Sequence, residues 1–307
     1  MIIHKTVFID IKGSTTWDLL SQYNQVVLHP FKNESKWAYR FRYIMHLLHI
    51  NRFSAYSKIN TEIITLRPDS IIIMGSLIYE PYIRNLRNEF PNISINYIYP
   101  NIVNCTSSLS PEILRKYNIK TYTWDLGDCR MYSIKYLKPF FNANILPSSD
   151  NNKYDVCFIG KDKGRYKIIT EIQDILDKNE ISYYIRISPD YSFLHFLKQR
   201  YQQVIPYAEY LKVASQSRGI LDIVQKGQIG TTTRVFEAVL SNKKLISNNR
   251  DLVNYDFYNP DNIFIIGIDD FSDLKQFLNR PTKPVHPSVV NEYGVERWIS
   301  DILQNND

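Results

Sequence analysis

The chain has 307 residues, 44% of them hydrophobic and 22% charged, so it can bury a sizeable core and is neither disordered nor collagen-like. At roughly 100 to 200 residues per domain, two domains are expected. The 37 Lys and Arg against 31 Asp and Glu leave +6, which favours an anionic partner without distinguishing nucleotide, phospholipid and nucleic acid.

Several classes are excluded next. Apolar runs such as Ile71 to Met74 and Ile263 to Ile268 fall far short of the roughly 20 residues a bilayer span needs, and the first residues lack the pattern of a signal peptide. Cys105, Cys129 and Cys157 lie in different predicted elements without C-x-x-C spacing, so reduced core thiols are expected, with neither a disulfide framework nor a zinc site.

In chain order, β-branched runs predict strands near 5–10, 25–29, 70–75, 93–99 and 120–124, with helices near 34–57, 79–89, 111–117 and 128–137 between them. The stretch from Asn142 to Lys153 loses periodicity and gathers turn formers, as a linker does. A second series restarts at Tyr154. Strands are predicted at 154–160 and near 182–187, 219–223, 244–247 and 262–266, with helices near 165–179, 191–201, 207–216, 231–241, 270–279 and 288–304. The class is α/β, two doubly wound Rossmann-like domains facing across a cleft: residues 1–145, residues 150–285, and a C-terminal helix within 286–307 that packs back on the first.

The constellation richest in chemistry is Gly227-Gln-Ile-Gly230-Thr-Thr-Thr-Arg-Val-Phe-Glu237, a glycine loop between a predicted strand and a helix. Gly227 and Gly230 would let the backbone approach a ligand, while Thr231, Thr232 and the first helical amides would donate to an anion. Glu237 could accept from sugar or ribose hydroxyls, and Arg234 could pair with it or with phosphate. The bland alternative is an ordinary βα loop with Thr231 as an N-cap. A second loop, Gly160-Lys-Asp-Lys-Gly-Arg165, adds the cations Lys161 and Arg165, the latter with a planar fork suited to phosphate.

On these residues, together with Tyr154-Asp-Val-Cys-Phe-Ile-Gly160 and Lys244-Leu-Ile-Ser, the stretch of about 150–280 resembles the donor-binding domain of GT-B glycosyltransferases of bacterial lipopolysaccharide and capsule assembly. The resemblance implies that Gly160, Lys161 and Arg165 contact the donor diphosphate, that Gly230, Thr231 and Thr232 cradle it, and that Glu237 holds ribose. Thr123-Trp-Asp-Leu-Gly-Asp128 and Leu137-Lys-Pro-Phe-Phe are similar to the end of the acceptor domain in the same group. Many retaining members carry a second glutamate eight positions before the ribose glutamate, where this chain has Ile229, so stereochemistry is left open.

No aspartates stand at D-x-D spacing, so a cationic loop rather than a metal is expected to stabilise the leaving diphosphate, and no cofactor is expected beyond the nucleotide-sugar substrate, taken as a UDP-sugar. An inverting enzyme needs a base in the acceptor domain. Asp125, at a predicted strand end, is the first choice and Asp18, after the first strand, the second; an N-cap or surface role competes for both.

The helix 34–57 mixes aromatic and basic residues. Trp37, Phe41, Ile44 and Leu48 fall at helical spacing as its core face, and Arg40, Arg42 and Arg52 suggest contact with an anionic membrane. The expected partners are a nucleotide-sugar donor and a glycan acceptor, by resemblance lipid-linked, with no nucleic acid. The expected location is cytoplasmic, peripheral on the inner face of the membrane. The rivals are a nucleotide-sugar epimerase, a pyruvyl-type transferase and a non-catalytic nucleic-acid binder.

Overall fold

The computed structural model describes residues 5–12, 14–23, 25–31, 37, 41, 44, 58–75, 78–103, 109–142, 145–147, 149, 151–190, 201–225 and 230–304. The chain divides into two compact units, one of Met1–Pro139 with Trp298–Asp307 and one of Phe140–Arg297.

The first unit carries a sheet of six parallel strands: β1 (Thr6–Ile9), β2 (Val26–Leu28), β3 (Ser70–Met74), β4 (Ser94–Tyr99), β5 (Lys120–Thr123) and β6 (Lys135–Tyr136), in spatial order β2-β1-β3-β4-β5-β6. Its strands are apolar because both faces of a parallel sheet are covered, and every residue of β3 is buried. The helices are α1 (Thr15–Gln22), α2 (Thr61–Leu66), α3 (Glu80–Glu89), α4 (Pro111–Lys116) and α5 (Leu126–Tyr132). Helix α4 starts as its sequence dictates, with the Ser110 hydroxyl accepting from Ile113 N and Pro111 in the first turn. Phe8 of this unit stacks on Trp298, ring centroids 6.2 Å apart.

The second unit carries five parallel strands, β7 (Tyr154–Lys161), β8 (Tyr183–Ser188), β9 (Ser217–Asp222), β10 (Lys244–Ser247) and β11 (Ile263–Ile265), in order β11-β10-β9-β7-β8. Between and after them run α6 (Tyr166–Lys178), α7 (Tyr207–Ser215), α8 (Thr233–Val239), α9 (Leu274–Asn279) and α10 (Pro287–Glu292), and the last helix, α11 (Val295–Gln304), belongs from Trp298 onward to the first unit. Helix α6 forms because Ile169, Ile172 and Leu176 recur on one face, which is buried against the sheet.

Each strand order reverses once, between β1 and β3 in the first sheet and between β7 and β9 in the second. In open α/β sheets the loops at the carboxyl ends of such a pair diverge and leave a crevice where ligands bind.

Some expectations are corrected. The helix expected at 128–137 runs from Leu126 to Tyr132 and stops where Ser133 takes a left-handed conformation (φ 52), freeing Lys135–Tyr136 to pair with β5. The last helix breaks into α10 and α11 at Tyr293-Gly294, where buried Tyr293 packs on Phe236 and Phe257 and donates to Asp256. Trp37, Phe41 and Ile44 are 77%, 57% and 53% exposed rather than core; the buried cluster on that sheet is built from the strands and from α3 and α4 without them. Leu48, Arg40, Arg42, Arg52, Cys105, Gly227, Ile229 and residues 191–200 of the helix expected at 191–201 lie outside the described residues. Cys129 and Cys157 are free thiols, and burial pushes that of Cys157 up to about 11. Among the described residues no helix is long and apolar enough to cross a membrane.

Candidate functional site

At the reversal point of the second sheet, β7 ends in Gly160-Lys161 and β9 in Asp222. The loop after β7 turns through two left-handed residues, Lys163 (φ 46) and Gly164 (φ 77), before α6 begins. Asp162 organises it: one carboxylate oxygen accepts from Tyr166 N at 2.7 Å, and the other takes a short bond from the Tyr201 hydroxyl.

Arg165 is 6% exposed and spends its guanidinium on backbone, donating to Lys161 O (2.5 Å), Asp162 O (3.1 Å) and Ile223 O (2.5 Å). It thereby ties the loop after β7 to the loop after β9. Arg234, on the first turn of α8, donates Nη2 to Ile159 O at 2.6 Å. The two guanidinium carbons lie 5.5 Å and 5.0 Å from the centroid of the Phe158 ring, a cation–π arrangement for both. Burial first, and then the neighbouring charge of Arg234, pushes Arg165 down to about 10. Lys163 is exposed as a residue, yet partial desolvation, then Arg165, Arg234 and Lys161, hold its ammonium below the usual lysine value. Lys161, Lys163, Arg165 and Arg234 therefore crowd one loop cluster, at a cost to the charged forms of Lys163 and Arg165 that an anion would relieve.

Two polar atoms in this cluster are buried without a hydrogen-bond partner: Thr231 Oγ1 and Arg234 Nε. Native structures rarely leave such groups unsatisfied, and both can donate. Thr232 behaves differently. Its backbone caps α8, but its hydroxyl donates to Asp222 Oδ1 at 2.7 Å, so Thr232, not Thr231, is the N-cap residue.

Glu237, a turn further along α8, is 1% exposed. It accepts from the Tyr207 hydroxyl at 2.7 Å and, by a short bond, from that of Tyr210, and these two rings stack with centroids 5.7 Å apart. Burial raises its carboxyl above the usual glutamate value against the opposing pull of both tyrosines and Arg234. The tyrosines were not singled out from sequence, because Tyr207 and Tyr210 precede Glu237 by a whole βα unit and only packing brings them together.

The structure thus brings Gly160, Lys161, Arg165, Thr232 and Arg234 together within the second unit at the carboxyl ends of β7 and β9, while Glu237 is held against α7 by Tyr207 and Tyr210.

In the first unit, Asp125 is buried and caps α5, accepting from Asp128 N at 3.0 Å, at the end of β5 and away from the β1–β3 reversal. Asp18 sits in the first turn of α1, and burial raises its carboxyl. The carboxylate at the reversal point itself is Asp10, directly after β1 and 2% exposed. It accepts from Ile11 N (2.7 Å), from Ser14 Oγ (2.6 Å) and from Thr16 by a short bond; burial raises it despite those bonds and the charge of His29. The signal for it was present as an aspartate closing the first strand ahead of Gly-Ser-Thr-Thr.

No family model matches the chain, and no curated protein matches its sequence. Solved structures do match by shape. An alpha-glucosyltransferase in complex with UDP-glucose and DNA containing an abasic site superposes with a TM-score of 0.55 at 11% identity, covering 96% of this chain and 92% of that one. An alpha-glucosyltransferase in complex with UDP and a 13-mer DNA gives 0.51 at 12% identity, covering 97% and 92%. A glycosyltransferase from Rickettsia africae ESF-5 gives 0.51 at 10% identity, covering 98% and 97%. The two parallel sheets and these likenesses give the chain the α/β architecture of the GT-B fold.

Proposed function

We propose that the protein is a glycosyltransferase that binds the diphosphate of a nucleotide-sugar, taken as a UDP-sugar, in its second unit. The observation that carries this reading is the pairing of Lys161, Lys163, Arg165 and Arg234 with the unpartnered buried donors Thr231 Oγ1 and Arg234 Nε at the reversal point of the second sheet. Phosphate oxygens are acceptors only, and this cluster presents donors. In transfer, the same cations would take up the charge that develops on the departing nucleoside diphosphate, the role a divalent metal plays elsewhere. The acceptor hydroxyl would lose its proton to a carboxylate of the first unit, with Asp10 joining Asp125 and Asp18 as candidates.

A thermal-shift screen of UDP, GDP, CDP and dTDP, run once in EDTA and once in manganese or magnesium, tests donor class and metal independence of binding together. UDP at about 100 times its Kd stabilises the native state by about 2.7 kcal/mol. Shifts that appear only when the EDTA is replaced by manganese or magnesium would reject the metal-independent reading, and no shift with any nucleotide in either condition would reject the donor site.

The finer reading is a growing lipopolysaccharide O-antigen or capsular glycan on a lipid carrier as acceptor, with the protein at the inner face of the cytoplasmic membrane. It is supported by the resemblance of the sequence to enzymes of that assembly and by the exposed Trp37, Phe41 and Ile44 beside the basic residues of the same segment. Sedimentation with liposomes should rise with anionic lipid, fall at high salt, and weaken when Arg40, Arg42 and Arg52 are together changed to Ser, each contributing about 1 kcal/mol near the surface. Wild-type protein that stays in the supernatant at every lipid composition removes the membrane from the proposal.

A further inference from the structure

The opposite end of the second sheet carries a separate basic cavity. It measures about 230 Å³ and is lined by Asn152, Arg218, Lys243, Lys244, Arg280 and Thr282 among others, with no acidic residue among the described lining residues. Asn152 precedes β7, Arg218 opens β9, and Lys243 and Lys244 lead into β10, so the cavity lies at the amino ends of the strands whose carboxyl ends hold the candidate donor site.

Among the lining cations Arg218 is paired with Asp155 at 3.2 Å, whereas Lys243 and Lys244 are fixed on neutral oxygens. Lys243 Nζ donates to Ser215 O and Ser217 O, both at 2.7 Å, and to Asn152 Oδ1 at 3.4 Å. Lys244 is 2% exposed, and its ammonium donates to the carbonyls of Asp261 and, at 3.3 Å, Pro281. Carbonyls offer only partial charge, and burial lowers both ammoniums from the usual lysine value. Asp261 is paired with Lys283, which is not among the lining residues. Arg280 uses one donor, on Gln276 Oε1 at 3.0 Å, and leaves the rest of its fork free among the described residues.

We infer that this cavity is a second anion site, taking a phosphate-bearing ligand through the guanidinium of Arg280 in the positive field of the fixed pair Lys243 and Lys244, at the end of the sheet opposite the nucleotide. The cavity, of about 230 Å³, has room for a phosphate or diphosphate group. The inference does not depend on the donor reading, since it rests on a different end of the sheet.

The test titrates inorganic pyrophosphate into the full chain by calorimetry, with and without saturating UDP, and repeats it with Arg280→Gln and Arg280→Lys. Pyrophosphate should still bind with UDP present, about tenfold or more weaker in Arg280→Gln and partly restored in Arg280→Lys. Arg280 is exposed, so these variants fold. A second arm with phosphatidylglycerol vesicles separates the sources: Arg280-dependent sedimentation without pyrophosphate binding identifies a lipid headgroup as the ligand. Pyrophosphate binding abolished by UDP, with vesicle binding indifferent to Arg280, overturns the proposal, as does an Arg280→Gln protein that matches wild type in both arms. Failure of UDP itself to bind rejects the donor site alone and leaves the Arg280 comparison decisive here.

Discussion

Gly160→Ala is expected to weaken UDP binding by about one to two decades while costing the fold only about 1 kcal/mol, the low end of overpacking. A Cβ at this position would overlap the Arg234 guanidinium and sit 3.3 Å from the Phe158 ring. The atom in the way is the far end of a flexible side chain, so the protein can absorb the methyl by moving it. That movement breaks the 2.6 Å bond from Arg234 to Ile159 O, lifts the guanidinium off Phe158 and takes the unpartnered Nε away from the place where an anion would meet it. Calorimetric titration with UDP and urea denaturation of the same variant separate the two effects. Equal UDP affinity in mutant and wild type would remove Arg234 from the site.

Glu237→Ala is expected to destabilise the second unit by about 3 kcal/mol, because it leaves the Tyr207 and Tyr210 hydroxyls without their acceptor and opens a cavity in a packed helix face. Glu237→Gln keeps the volume and one carbonyl acceptor, and should cost about 1 kcal/mol. The two variants therefore distinguish a structural carboxylate from a ligand contact: Glu237→Gln should hold the fold while losing nucleotide affinity. The pH dependence has a definite sign. Burial raises the folded carboxyl above the ordinary glutamate value, so the native state holds the proton more tightly than the unfolded chain. Its contribution is fully present below the unfolded value and is lost as pH rises through the raised folded value. Urea midpoints of wild type relative to Glu237→Gln should accordingly improve as pH falls from about 8 to about 4.5. A wild-type advantage that grows with pH instead would mean the tyrosines favour the ionised form outright.

Both variants act through contacts that no local sequence window contains, and this marks where the sequence stops being legible. The strands could be read because each is a short apolar run covered on both faces; β3, β4, β7 and β10 fall within a residue of the predicted ranges. The glycine loops could be read because their residue types are unusual between a strand and a helix. Short elements were not legible. Helix α2 and strand β6 have too few residues to show a period, and β6 exists because Ser133 ends a helix that propensity alone would have continued.

The sequence by itself determined the α/β class, the two series of parallel strands and the loops of the second half in which cations and small polar residues gather. These follow from periodicity and composition, which are local properties of the chain. Tertiary structure decided what each of those residues does. Arg165 became a tie between two loops, Thr232 a partner of Asp222, Asp125 a helix cap, and Asp10 the buried carboxylate at the reversal point of the first sheet. The physical reason is that a side chain's role is set by which donors and acceptors remain within about 3 Å once the strands have taken their spatial order. That order places β9 beside β7 rather than β8, and sequence adjacency does not encode it.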